Sequence, residues 1–136
     1  MIFNLRPLEK EDYDNTLLGW WKEWGWTPPE RDFLPDDGKG GLMVLDKKTP
    51  VCAGFIYNTN SKVALVEWVI SNKNYKKNPE RKEALKLLIN SLTNICKDSG
   101  SKYTYALLKH DGLIKTYEEV GYTQGDSYTK EMIKKL

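Results

Sequence analysis

The run VALVEWVI at residues 63–70 constrains this chain more than any other feature. Seven of its eight residues are apolar and four are β-branched, a composition suited to a central strand. A turn signal, Asn58-Thr59-Asn60-Ser61, precedes it. After a short polar loop, Asn78-Pro79-Glu80 opens a helix, with Asn78 as N-cap, Pro79 at the first helical position and an acidic residue in the first turn. Ala84, Leu85, Leu88, Ile89, Leu92, Ile95 and Cys96 form the apolar stripe of that helix, and Gly100 stands where a left-handed terminal residue is wanted. A strand that feeds an amphipathic helix in this way belongs to an α/β domain.

The remaining elements fit around that pair. Residues 3–6 read as a short strand, and from Glu11 onward Tyr13, Leu17, Trp20, Trp21 and Trp24 recur at helical spacing, with a break expected in the Trp-rich part. Gly25 ends the helix, and Pro28, Pro29, Pro35, Asp36, Asp37, Gly38, Gly40 and Gly41 make the next stretch a loop, placed to border a substrate groove. Residues 42–46 and 51–57 form a hairpin through the four-residue turn Lys47-Lys48-Thr49-Pro50, and with 63–70 they make a meander. Residues 103–108 read as a strand, 113–120 as a short helix closed by Gly121, and 128–133 as a final strand. The expectation is one α/β (α+β) domain over residues 1–136, with a mixed, mostly antiparallel central sheet flanked by helices.

Composition narrows the function. At 136 residues, with 40% apolar and 29% charged residues, the chain is an ordinary globular domain. It has no apolar run of membrane-spanning length, and Met1-Ile2-Phe3-Asn4 does not resemble a signal peptide, so a cytoplasmic location without membrane contact is expected. A net charge of +2 argues against a general nucleic-acid binder. Two cysteines, Cys52 and Cys96, without a CxxC pair and with the lone histidine His110, make a metal site improbable; both are expected as buried thiols.

Two motifs carry a family resemblance. Leu5-Arg6-Pro7-Leu8 followed by Glu11-Asp12-Tyr13 looks like the opening of the acyl-CoA-dependent N-acetyltransferases of the GNAT superfamily. Tyr117-Glu118-Glu119-Val120-Gly121-Tyr122 resembles their Tyr-x-x-x-Gly-aromatic element, and the order of elements agrees over nearly the whole chain. The resemblance implies that the loop 71–81 and the helix after it hold the pyrophosphate of acetyl-CoA, since a helix N-terminus presents unpaired N–H groups and the positive end of its dipole. Ser71, Tyr75, Lys76, Lys77, Arg81 and Lys82 are then cofactor-binding candidates, and the strand bearing Val69 and Ile70 would pair its backbone with the pantetheine arm. The family's glycine pattern is absent here: no glycine lies between Gly54 and Gly100. The site is therefore expected to lean on Lys76, Lys77 and Arg81 rather than on backbone donors.

By the same resemblance Tyr117 aligns with the tyrosine that protonates the leaving thiolate, and Glu67 with a carboxylate that helps to deprotonate the amine. Packing of a short helix is the other reading of Tyr117, and a solvated strand position that of Glu67. Strict alternation would put Glu67 on one face with Leu65 and Val69. His110 stands where many relatives carry a cofactor-contacting asparagine. Trp20 and Trp24 share a helix face and read as core, whereas Trp21 and Trp26, with Asp36 and Asp37, are candidates for receiving a cationic or aromatic amine. The activity implied is transfer of an acetyl group from acetyl-CoA to a small-molecule or peptide amine, by a monomer or homodimer. A GNAT-like binding or regulatory module without catalysis is the alternative. Nucleic-acid binding through Tyr75, Tyr103, Tyr105 and Lys109 is the least supported reading.

Overall fold

The computed structural model describes residues 2–136. Five strands form one sheet in the order β1 (Asn4–Pro7), β2 (Gly41–Asp46), β3 (Thr49–Asn58), β4 (Val63–Ser71) and β5 (Tyr103–Tyr105). All neighbours are antiparallel except β4 and β5, which run parallel, so the sheet is mixed and mostly antiparallel as expected. The parallel step is made by α2 (Asn78–Asp98), whose length supplies the crossover that a parallel pair requires.

A π-helical turn at Tyr13–Leu17 continues directly into α1 (Leu18–Glu23) with right-handed helical backbone at the junction, so the break expected in the Trp-rich part does not occur there. α1 and the loop after it cover one sheet face, where Leu17, Trp20, Trp21, Leu34, Met43, Ala53, Phe55 and Ile70 pack together. α2 and α3 (Asp111–Glu119) cover the other, around Val51, Cys52, Val66, Val69, Leu88, Leu92 and Tyr117. Both cysteines are buried free thiols. No helix among the described residues is long and apolar enough to cross a membrane.

The register of β4 contains one irregularity on which the site depends. Ala53 pairs with Ile70 and Phe55 with Glu67, so Gly54 alone faces both Trp68 and Val69. This is a β-bulge, and Trp68 adopts a left-handed backbone with φ of 54° to make it. The extra residue shifts the side-chain alternation by one. Ala64, Val66 and Val69 all join the α2 core, while Trp68 and Ile70 turn to the α1 side. Strict alternation would have grouped Val69 with Glu67; the bulge overturns that grouping.

Other boundaries differ for definite reasons. The β2–β3 hairpin pairs Asp46 with Thr49, leaving a two-residue turn with Lys47 at φ of 57° rather than a four-residue one. The first residue of α2 is Asn78, and Lys77 takes the N-cap position, one place earlier than expected. β5 ends at Tyr105 because its partner bends away at the bulge, so 106–108 have no ladder to join. Residues 122–136 form no strand, with Tyr128, Met132 and Ile133 exposed. Alternation there would set Lys130 beside Tyr128 and Met132, and Glu131 beside Ile133, so neither face is apolar enough to fix a register.

A Cβ at Gly54 would come within 3.0 Å of both Leu92 Cδ1 and Val69 Cγ2. Gly54→Ala should therefore destabilise the fold by about 1–3 kcal/mol through overpacking. The expected readout is a lower urea midpoint at unchanged m-value.

Candidate active site

The ladder between β4 and β5 runs only from Val63–Tyr103 to Leu65–Tyr105. Beyond it the two segments diverge, and the β5-facing backbone of residues 66–71 is left without a strand partner. The fork is filled from α3. Tyr117 is 1% exposed, and its hydroxyl donates to the Val66 carbonyl across 2.9 Å. Tyr122 packs edge-on against the Tyr117 ring at 5.0 Å, and its own hydroxyl meets Thr93 of α2 at 2.7 Å. Burial raises the Tyr117 pKa well above the ordinary phenol value, and the nearby charge of Glu67 pushes it further.

Glu67 sits at the opening of the same fork. Its Oε1 accepts the Leu107 N–H at 2.8 Å, so a side chain closes the gap where the β4–β5 ladder has failed. Burial pushes its pKa up to about 7; the Leu107 N–H opposes that rise, and the Glu131 carboxylate reinforces it. The structure thus brings Glu67 and Tyr117 together at one divergence of strands, with Val69, Ile70 and Ser71 continuing past the bulge.

The loop 72–77 is tied to α1 and β2. The Asn72 side chain donates to Pro50 O at 3.0 Å, and Tyr75, nearly buried, donates to Asp46 Oδ2 at 2.8 Å. Arg81 lies under the loop, its Nη1 at 3.4–3.5 Å from the carbonyls of Asn72, Lys73 and Tyr75 and its guanidinium 5.8 Å from the Trp24 ring. Lys73 lies over the same ring at 5.3 Å, and Trp24 Nε1 donates to Ser71 O at 2.8 Å. Lys77 turns to Asp46 at 3.5 Å, and Lys82 to Glu119 at 2.8 Å, so two of the proposed phosphate cations are already paired. Lys76 makes no ion pair among the described residues and is exposed. The first helical bond of α2 is Arg81 N–H to Lys77 O, which leaves the N–H groups of Asn78 and Glu80 unpaired within the helix, while Pro79 has none. The residues present can hold a phosphate, with fewer backbone donors than a glycine-rich loop would offer.

The acceptor-side candidates separate. Trp21 is fully buried, edge-on to Trp68 at 6.0 Å, with its Nε1 unpartnered, so it backs the site from beneath and forms no open wall. Trp26 stacks flat on His110 at 4.4 Å and 9°, joining the loop after α1 to the start of α3. Asp36 and Asp37 are exposed, with left-handed φ of 49° and 53°. Asp36 opens onto a separate cleft of about 430 Å³ with Ile56, Ile95 and Ser99. That cleft lies at the C-terminal end of α2, about 30 Å from the helix start by the rise of 21 residues. Sequence reasoning missed Phe33, whose ring meets Trp68 edge-on at 6.0 Å, and missed Asp46 and Glu119 as partners of the lysines. No local pattern marks any of the three.

No protein-family model and no curated protein sequence matches the chain. Solved structures do match its fold. Glucosamine-6-phosphate N-acetyltransferase from Arabidopsis thaliana is 14% identical, with a TM-score of 0.67 over 98% of this chain and 100% of that one. An aminoglycoside acetyltransferase from an uncultured soil metagenomic sample is 11% identical, with a TM-score of 0.66 over 97% and 95%. N-acetylglutamate synthase from Neisseria gonorrhoeae, solved with coenzyme A and N-acetyl-glutamate, is 10% identical with a TM-score of 0.71, over 93% of this chain and 29% of that one. The chain has the fold of the GNAT acetyltransferases.

A carboxyl pushed up to about 7, well above the ordinary glutamate range, favours folding in its protonated form, so its contribution is lost as pH rises through 7. Glu67→Gln removes that dependence while keeping an acceptor for Leu107 N–H. The variant should gain stability relative to the parent as pH rises from about 5 to 7, with the difference levelling off above 8. Parallel melting curves across that range check the sign.

Proposed function

We propose that this chain transfers an acetyl group from acetyl-CoA to a primary amine by direct attack. The observation that carries the reading is the half-buried Glu67, poised near neutrality where β4 and β5 part, with the Tyr117 phenol at the apex of the same fork. The amine nitrogen would attack the thioester carbonyl as its proton passes to Glu67, directly or through water. Collapse of the tetrahedral adduct forms the amide and breaks the C–S bond, and the thiolate leaves with a proton from Tyr117. The proton taken up by Glu67 returns through solvent to the Tyr117 phenolate, so a neutral amine and acetyl-CoA give the amide and free CoA with both residues restored. The Tyr117 hydroxyl is directed at Val66 O. It would exchange that acceptor for the stronger, charged thiolate, and its raised pKa keeps it protonated until then.

Cofactor binding in this reading falls to the unladdered backbone of Val69, Ile70 and Ser71 for the pantetheine amides, and to the start of α2 with Lys76 and Arg81 for the diphosphate. Lys77 and Lys82 would contribute only by leaving Asp46 and Glu119. A second reading, a GNAT-like binding or regulatory module without catalysis, is favoured by one observation: those two lysines are committed to carboxylates beside a loop that has no glycine.

Thermal shift decides first. Acetyl-CoA at about 100-fold over its Kd should add roughly 2.7 kcal/mol to stability, and Arg81→Ala or Lys76→Ala should reduce that gain. Tyr117→Phe should retain the shift but lower acetyl transfer by about 10²- to 10⁴-fold, read as release of free CoA thiol. Binding without transfer to any amine supports the binding module. No binding defeats the enzyme reading.

A further inference from the structure

We propose that the amine acceptor carries an apolar, preferably aromatic, group and no acidic group, and that Phe33 is the ring that selects it. This rests on the acetyl-transfer reading of the fork at Glu67. Phe33 keeps 45% of its surface exposed, yet it is held firmly. Its N–H donates to Glu30 O at 3.0 Å, its carbonyl accepts the Tyr57 hydroxyl at 2.8 Å, and the next residue, Leu34, is buried in the core. A rigidly held, open aromatic ring offers apolar contact at little ordering cost, which distinguishes a built wall from a floppy surface residue.

Its ring meets Trp68 edge-on at 6.0 Å and 89°, and Trp68 is the left-handed bulge residue next to Glu67 in the chain. A non-glycine aromatic in that conformation stores backbone strain of the kind found at ligand sites. Beneath it lies the Trp21 indole, the one fully buried side-chain polar atom without a partner among the described residues. Phe33 and Trp68, backed by the buried Trp21, thus set an apolar surface one residue along β4 from the carboxylate that would receive an amine proton.

Charge supplies the exclusion. The charged group that raises the Glu67 pKa is another carboxylate, Glu131, which disfavours a further anion there. Arg31, two residues before Phe33, is bound to Asp14 and stacked over the Tyr13 ring at 4.8 Å. Arg81 and Lys73 are drawn to Trp24. The segment 30–37 carries four carboxylates and one guanidinium, a balance that attracts an ammonium ion and repels an acid. An acid-bearing amine would have to desolvate its anion beside Glu67 without compensation.

The test titrates 2-phenylethylamine, glucosamine 6-phosphate and glutamate into the full chain with nitrogen-15-labelled indoles, and then assays each with acetyl-CoA. 2-Phenylethylamine should shift the Trp68 indole signal, and Phe33→Ala should weaken its Kd about tenfold, the loss of one aromatic contact. Phe33→Leu should lose less. The two acid-bearing amines should bind at least tenfold more weakly. Tighter binding of either acid-bearing amine, no binding of 2-phenylethylamine, or an unchanged Kd in Phe33→Ala overturns the proposal. Phe33-dependent binding without acetyl transfer upholds the aromatic subsite and defeats the enzyme reading, whereas transfer confined to an acid-bearing amine does the reverse.

Discussion

One extra residue in β4 organises this molecule. Opposing Trp68 and Val69 to Gly54 alone turns the strand by one side-chain position, and everything at the candidate site follows from that turn. Val69 is delivered to the α2 core and Trp68 to the α1 side. The strand bends from β5, which stops after three residues, and the gap is closed by two side-chain bonds: Tyr117 hydroxyl to Val66 O and Leu107 N–H to Glu67. Without the bulge these groups would be ordinary ladder partners, and the phenol and carboxylate would have nothing to replace. Gly54 is the condition for it, since α2 presses Leu92 to within 3.0 Å of where a Cβ would stand.

Periodicity made the fold legible, because burial repeats. The stripe from Ala84 to Cys96 and the run at 63–70 each announced an element, and together they implied an α/β domain. The bulge was invisible because VALVEWVI has no glycine or proline to mark it, and the left-handed position is held by a tryptophan. The final strand failed for the opposite reason: residues 128–133 have strand-forming types without a consistent apolar face. Glu67 and Tyr117 were singled out through the family resemblance, and the structure brings them to one fork. The pairing of Lys77 with Asp46 and of Lys82 with Glu119 joins residues 31 and 37 positions apart, beyond any local pattern.

The loop before α2 solves a different problem from a glycine-rich one. Glycines let backbone approach a phosphate; here Arg81 lies beneath the loop, with one Nη1 within 3.4–3.5 Å of three loop carbonyls and its guanidinium against Trp24. The loop is consequently braced before any ligand arrives, through Asn72 to Pro50 and Tyr75 to Asp46. Bracing would lower the ordering cost of holding a phosphate, while the paired lysines would raise the electrostatic cost, since each would have to give up a carboxylate. The two effects oppose each other.

Proton occupancy at the fork follows from the same burial. Glu67 loses its proton at about pH 7, while the pKa of Tyr117 is raised well above the phenol's ordinary value. The shifts are coupled in a useful sense, because each proton that leaves Glu67 places a negative charge near the phenol and makes its own departure harder. Ionised carboxylate and protonated phenol therefore coexist over a broad window above neutrality. A solvated glutamate would ionise far lower and be a poorer proton acceptor, whereas a fully enclosed one would stay protonated. The Leu107 N–H holds Glu67 between those limits, because it favours the ionised form just as burial disfavours it. The failed ladder at residues 106–108 thus leaves one backbone donor free of strand pairing, and that donor keeps the carboxylate near neutrality.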